Sequence, residues 1–476
     1  MSRITSYFGL SDDKPQVTRL AGIAVSLSLF INASITISTT FYLIFVAEAL
    51  GNGDFIVGMT LIGILVVIEM TVQTAFDYPT GVIGDWIGQR YILTSAFLTY
   101  AAAFYLVSLV TSSTPFALLV LVYILTGFAA SQQSGALGSW FDNNWRAAMP
   151  EDEGRMQYGV LQGRWEMLIW LTNVLILIPG GILATVFARG WVFQLQSILC
   201  ILIAIASWRL IRNLPEVEKE KQTRPDMSEY VSLLKEGVTY LFSSPYVKYL
   251  LLGSMLVNSV ITVWANLILF PMYYSYLVSD VAVASFRTIV MAPLAVYSER
   301  SGVWAKRYDP EKWIPRFRVI QTCGVVFFWI FAVLMLVFQP PPVDSPMIDY
   351  VIPGTEILLL RVPIASLLPV LLMVITFFVC GAFLQVAGVL TSRVFIDAIP
   401  NRVRNGVYSL FPTVVLLFGI PQIAFFGFLI PLWGIPTTLF LCGIISLVGV
   451  LMIRKGLRHP RPWDDSSVLS TEQEPD

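Results

Sequence analysis

An all-α membrane protein, with about twelve transmembrane helices in two pseudo-symmetric six-helix bundles, is the fold class this sequence predicts. Three observations predict it. Of the 476 residues, 56% are hydrophobic and only 13% are charged, about half the charged share of an ordinary soluble chain, and mean hydropathy is +0.73. Apolar runs long enough to cross a bilayer, which takes about 20 residues, recur along nearly the whole length. Lysine and arginine gather in every second loop, as cytoplasmic loops do.

The runs lie at 19–47, 55–76, 92–111, 116–140, 158–185 and 190–211, then at 247–275, 280–298, 316–338, 364–391, 408–432 and 435–453. With the N-terminus placed in the cytoplasm, 27 of the 30 Lys and Arg residues fall in inner segments. Arg189 and Arg361 are left outside, and Arg287 is left within a span. A missed span would invert every later loop, so count and orientation support each other. Residues 1–18 and 454–476 are then cytoplasmic tails, 19–211 and 247–453 the two bundles, and 212–246 a cytoplasmic linker. In the linker, Asp226 and Glu229 have the spacing of a capping box, and Tyr230, Leu233, Leu234 and Val238 share one face of the short amphipathic helix it would open.

Cys200, Cys323, Cys380 and Cys442 stand singly in predicted spans, which argues against a disulfide framework or metal cluster. His459 is the only histidine, so neither a Ser/His/Asp triad nor a histidine-ligated metal within the membrane is available. There is no GxxxxGK[ST] loop. The expectation is a protein that is not an enzyme, needs no cofactor or metal, binds no nucleic acid and resides in lipid.

The most informative stretch is DYPTGVIGDWIGQRY, residues 77–91, a charged, glycine-punctuated turn between two apolar runs. Gly81 and Gly88 permit a sharp turn and close helix approach. Asp85 accepts backbone hydrogen bonds or faces a helix N-terminus, where negative charge gains roughly 0.3–1 kcal/mol. Arg90 is expected to pair with an acid at another inner helix end, Asp142 first. The second half echoes the first: a shift of 214 places Pro79 on Pro293, Gly81 on Ala295, Asp85 on Glu299 and Gly88 on Gly302, and a shift of 250 aligns Pro150 with Pro400. Internal repeats are a mark of secondary transporters. The proline-rich outer loop 339–363 absorbs much of the change in shift and reads as an insertion, with a partly ordered external lid as the alternative.

GVIGDWIGQR, residues 81–90, resembles the signature loop between the second and third helices of the major facilitator superfamily, and the preceding Asp77, Pro79 and Thr80 are similar to its drug-efflux-like and uncharacterised members. PEDEGRMQYGVLQGR from Pro150 and IPNRVRNGVYSLF from Ile399 resemble its fourth-to-fifth inner loop and the counterpart in the second half. The likeness spans nearly all of the chain. It implies that superfamily's fold, and for Asp77, Pro79, Gly81, Asp85, Gly88, Arg90 and Asp142 the role of a conformational switch that braces the outward-facing state. Three departures matter. Trp86 and Gln89 stand where the family usually has basic residues, which leaves the charge network resting on Arg90. Tyr123 stands where many proton-coupled members carry an arginine four residues before the glycine. The run Pro179, Gly180 and Gly181 resembles the antiporter signature, but its composition is too common to decide export.

Ionisable groups at bilayer depth are costly and mark function. Glu69 leads a polar stripe with Gln73 and Asp77. Glu166 lies about 12 Å into the fifth helix and Arg287 about 16 Å from the inner end of the eighth. The resemblance implies that these helices meet, so an Arg287–Glu166 pair is a candidate gate; a purely structural pair and a snorkelling Glu166 are the plainer readings. Glu69, lacking such compensation, is the carboxylate expected to exchange protons. Asn32, Gln132, Gln133, Gln194, Gln196, Asn258, Asn266 and Gln385, with Trp165, Trp170, Trp264, Tyr273 and Tyr274, are candidate cavity residues, although most Trp and Tyr read as belt or packing. Neutral polar groups among aromatics suit a small amphipathic organic solute. The expectation is therefore a monomeric secondary active transporter in the cell membrane, working by alternating access, with export favoured and protons or another ion as the coupling partner. Uptake of a sugar, organic acid or nucleoside is the alternative in the same class, and a membrane-embedded enzyme or a non-transporting receptor or scaffold the alternatives outside it.

Overall fold

The structure, a computed structural model, describes residues 15–460 apart from 153–155, 220–234, 236–238, 240–241, 243, 343, 352, 357 and 399–400. The amphipathic linker helix expected from Asp226 therefore lies outside the described residues for most of its length. Helices dominate the rest. In chain order they are α1 (Pro15–Thr36), α2 (Tyr42–Leu50), α3 (Phe55–Ile87), α4 (Gln89–Ser108), α5 (Phe116–Gln133), α6 (Ala136–Ala148), α7 (Met156–Leu175), α8 (Leu177–Phe187), α9 (Arg189–Leu210), α10 (Pro215–Lys219), α11 (Pro245–Val263), α12 (Leu269–Leu277), α13 (Asp280–Ala305), α14 (Pro310–Ile320), α15 (Val325–Val337), α16 (Leu367–Ala398) and α17 (Asn401–Gly456).

Among the described residues, ten helical stretches are long and apolar enough to cross a membrane. The difference from twelve arises at two places. Val414–Gly456 counts once, although Gly434 (φ 79, ψ 167) leaves helical geometry within it. The eighth predicted run falls in α13, a 26-residue helix that is not among the ten because not all of its residues are described.

Several predicted spans are interrupted. The run 19–47 breaks between α1 and α2, and Gly180 explains how the break is packed: a Cβ there would sit 1.9 Å from the carbonyl oxygen of Ile37. The fifth run divides at Ile176, and the seventh passes through a π-helical turn, Trp264–Ile268. The ninth divides between α14 and α15. Conversely, the stretch read as a turn from residue 77 is helical as far as Ile87, with Pro79 inside α3. Proline removes the backbone donor that Ala75 O would accept from, and one residue on the Thr80 hydroxyl ties α3 to α5, lying 2.8 Å from Phe76 O and 3.0 Å from Ser131 O. The turn itself is confined to Gly88, at φ 109.

In the proline-rich loop 339–363, β1 (Met347–Val351) and β2 (Leu358–Pro363) form a two-stranded sheet, with Gly354 at φ 81 between them. Asp349 and Arg361 pair across it, at 2.7 Å.

Two compact units emerge. The first comprises Met1–Pro225, Leu277–Thr288 and Ile348–Val362, and the second Asp226–Tyr276, Ile289–Met347 and Pro363–Asp476. In the first unit α4 packs along α9 and α3 along α5, over a core that includes Phe97, Phe104, Phe193 and Ile203. In the second, α11 packs along α17 and α14 along α16, over Leu250, Met255, Phe317, Leu390 and Ile453. Trp264 is buried here, edge-on to Phe327, Phe328 and Phe331 with centroids 5.2–5.9 Å away.

Candidate functional site

In the first unit, close approach of α3 and α5 sets the surroundings of Glu69. A Cβ on Gly127 would lie 2.4 Å from the Glu69 carbonyl oxygen, so only glycine lets the helices touch at this level. The Glu69 side chain, half-buried, lies beside the Thr126 hydroxyl and within electrostatic reach of Tyr42, Tyr100 and Tyr123. The rings of Tyr42 and Tyr123 are 6.0 Å apart, which sets the two phenol groups against each other. Tyr123, at the position where the resemblance leads one to look for an arginine, is 1% exposed. Among the described residues no arginine or lysine pairs with Glu69. The arrangement is a carboxylate held among hydroxyls, able to lose or accept a proton without breaking an ion pair.

Further polar contacts line the same unit. Asn32 Nδ2 donates to Ser28 O at 2.8 Å, the Trp165 indole donates to Ser28 Oγ, and Thr36 Oγ1 donates to Asn173 Oδ1 at 3.2 Å. Gln196 is fully buried and spans helices, donating to Ser34 O at 2.7 Å, which makes it structural. Gln132 lines a cavity of about 50 Å³ with Thr80, Gln89 and Ser139, a space for water rather than for an organic solute. Gln133 is half-buried and Gln194 exposed.

Elsewhere the charged candidates separate. Arg90 lies over the Trp208 ring, 4.0 Å from its centroid, whereas Asp142 pairs with Arg146 at 3.0 Å, so the Arg90–Asp142 pair is not formed. The cation–π contact and the i,i+4 pair each satisfy one partner locally. Asp77 is exposed. Nothing lies within 4 Å of a Cβ added at Gly81; the close contact belongs to Gly84, against the Gln89 side chain at 2.6 Å. The Asp85 side chain lies outside the described residues. Glu166 is exposed and, among the described residues, accepts from Gln162 Nε2 at 3.3 Å rather than from Arg287, which is half-buried on α13.

An ion cluster that sequence reading passed over lies two turns earlier on α13. Arg189 grips Asp280 with two parallel bonds, 2.7 and 2.8 Å, and reaches Glu48 at 2.6 Å. The side chains of Arg189 and Asp280 are only 14% and 10% exposed, so these bonds are worth more than a surface pair. Asp280 also sits in the first turn of α13, where the helix dipole favours it. The cluster holds two carboxylates to one guanidinium. Its only sequence signal was that Arg189 was one of two basic residues left in outer loops.

Among the candidates in the second unit, Asn258 Nδ2 turns back to Ser254 O at 2.7 Å, and Gln385 is half-buried. Trp264 is packed in the aromatic core rather than presented to a solute. The π-turn that it begins leaves Asn266 exposed, donating to Thr262 O at 2.9 Å; such turns are frequent at functional sites.

The profile of the Major Facilitator Superfamily matches residues 23–353. Comparison with curated protein sequences yields no match. Among solved structures, that of the nucleoside transporter NupG is similar with a TM-score of 0.61 at 12% identity, over 93% of this chain and 100% of that one. A D-xylose-proton symporter gives 0.62 at 14% identity, over 94% and 98%. An inward open conformation of the xylose transporter XylE from E. coli gives 0.59 at 13%, over 95% and 98%. At such identities the likeness shows a shared fold.

Proposed function

The chain belongs to the Major Facilitator Superfamily and is a multi-pass membrane protein of a secondary-transport family, and from that premise we propose that it moves a small organic solute across the cell membrane by alternating access, coupled to protons exchanged at Glu69. The observation that carries this reading is the Glu69 carboxylate itself, set in an apolar helix among tyrosine and threonine hydroxyls with no basic partner among the described residues. Such a group is costly as an anion, and hydroxyls can support it in either protonation state.

Export is the proposed direction, supported by the likeness of residues 77–90 to drug-efflux-like members. The Pro179-Gly180-Gly181 run lends it nothing, because both glycines are committed to packing, Gly180 on Ile37 and Gly181 on Asp280 and Ala284. Uptake of a polyhydroxylated solute is the second reading, supported by a nucleoside transporter and a sugar-proton symporter of the same fold. The Arg189–Glu48–Asp280 cluster serves as a brace at the predicted outer ends of the spans, on the opposite side from the motif around Asp85 and Arg90.

Reconstituted vesicles test the proposal with a panel of sugars, nucleosides and amphipathic cations. A pH gradient should drive flux by the native chain. Glu69→Gln should abolish that flux while ligand-induced thermal stabilisation persists, and the sign of the effective gradient reads the direction. Gradient-driven flux unchanged in Glu69→Gln would remove Glu69 from the coupling step.

A further inference from the structure

By sequence Arg318 belongs with the loop cations of the inner side, yet the structure buries it. It lies in the last turn of α14, inside the 28-residue candidate span Pro310–Val337, and is 6% exposed. Nη1 donates to Gln321 Oε1 at 3.0 Å and Nη2 to Thr391 Oγ1 at 2.9 Å. Among the described residues no carboxylate pairs with it.

The helix is broken at this point. Gln321, Thr322, Cys323 and Gly324 separate α14 from α15, with Cys323 at φ 59 and Thr322 N bonded to Cys380 O on α16 at 3.1 Å. A Cβ on Gly324 would lie 2.6–2.8 Å from the carbonyl oxygens of Arg318, Gln321 and Val319, so glycine fixes the tightness of the turn. With 13 residues in α15, the break stands about 20 Å from the far end of the span, within an apolar layer about 30 Å thick. The N-terminus of α15 starts here without a side-chain cap.

Among the described residues, three donors at the break find no acceptor: Arg318 Nε, Gln321 Nε2 and Thr322 Oγ1 are all buried and unpartnered. Gln321 and Thr322 are 0% and 5% exposed. A buried guanidinium without a counter-charge and unpaired buried donors are each strongly unfavourable. One small anion would satisfy the charge and the donors together, and the uncapped helix start favours the same sign.

We propose that the α14–α15 break is a binding site for a small monovalent anion held by Arg318, Gln321 and Thr322. Inorganic chloride and the carboxylate group of an organic acid share the required chemistry. The site lies wholly in the second unit and does not depend on the role given to Glu69.

The test is thermal unfolding of the purified full chain in sodium chloride, sodium formate and sodium morpholinoethanesulfonate at equal ionic strength. Chloride or formate should raise Tm saturably above the bulky sulfonate, as a ligand of the native state does, and whichever saturates at lower concentration identifies the source. Arg318→Gln should abolish the difference. Should that variant fail to fold, Thr322→Val, which removes one donor and keeps the shape, should weaken half-saturation by roughly five- to tenfold. Equal melting of the native chain in all three salts, as a water-filled break would give, overturns the site, and so does anion stabilisation undiminished in Thr322→Val.

Discussion

Ala188 holds φ 87 and ψ 151 as the single residue between α8 and α9, a conformation that costs a non-glycine side chain about 1–3 kcal/mol. It directly precedes Arg189, whose three bonds to Asp280 and Glu48 fix where α9 must begin. Ala188→Gly should therefore stabilise the chain by about 1 kcal/mol, read as a higher Tm in detergent; Ala188→Val should lower it. A fall in Tm for the glycine variant would show that the backbone there carries no strain. At this scale the sequence displays identities but not necessities. Gly127, Gly180 and Gly84 look like any other glycines until Glu69 O, Ile37 O and the Gln89 side chain are seen against them. Glu69 was legible as a candidate because a lone carboxylate in an apolar run is conspicuous. Its hydroxyl surroundings were not, because Tyr42, Tyr100, Thr126 and Tyr123 come from three other helices.

At the scale of elements, the sheet β1–β2 in the proline-rich loop carries one ion pair, Asp349–Arg361. The Arg361 guanidinium beside Asp349 holds its carboxyl below the usual value. A depressed folded-state pKa gives stability that is present above the unfolded value, about 3.9, and is lost as pH falls through the folded one. The pair is exposed, so its contribution is small. Limited proteolysis should cut the 347–363 segment at an unchanged rate from neutral pH to about pH 4 and faster below that, using an acid-active protease normalised on an unstructured peptide. Asp349→Asn should abolish the acceleration; acceleration that survives in this variant would place the sensitive group elsewhere. Predicted spans proved reliable as apolar stretches and unreliable as continuous helices. The breaks at 37–41, Ile176 and 321–324 lie in sequence that hydropathy reads as uninterrupted, since hydropathy averages over a window and a turn occupies only a few residues.

For the whole molecule, the charge asymmetry of the loops predicts that both termini are cytoplasmic and that the β1–β2 loop is external. Single-cysteine variants on a background lacking Cys200, Cys323, Cys380 and Cys442 test this. Ser11→Cys and Ser466→Cys should resist a membrane-impermeant thiol reagent in intact cells, and Asp344→Cys should react. External labelling of either terminus would refute the orientation. The sequence by itself determined the class, a membrane protein of many helices in the Major Facilitator Superfamily, because hydropathy and loop charge are sums over many residues that survive local error. It also brought Glu69 forward, since the cost of a carboxylate in lipid belongs to that residue's own position. Only the tertiary structure decided which charges meet: Arg189 with Asp280 and Glu48, Arg90 with Trp208, and Arg318 with no acid among the described residues. Those outcomes depend on distances between helices far apart in the chain, and pair energies that fall off over a few ångströms leave no trace in composition or spacing.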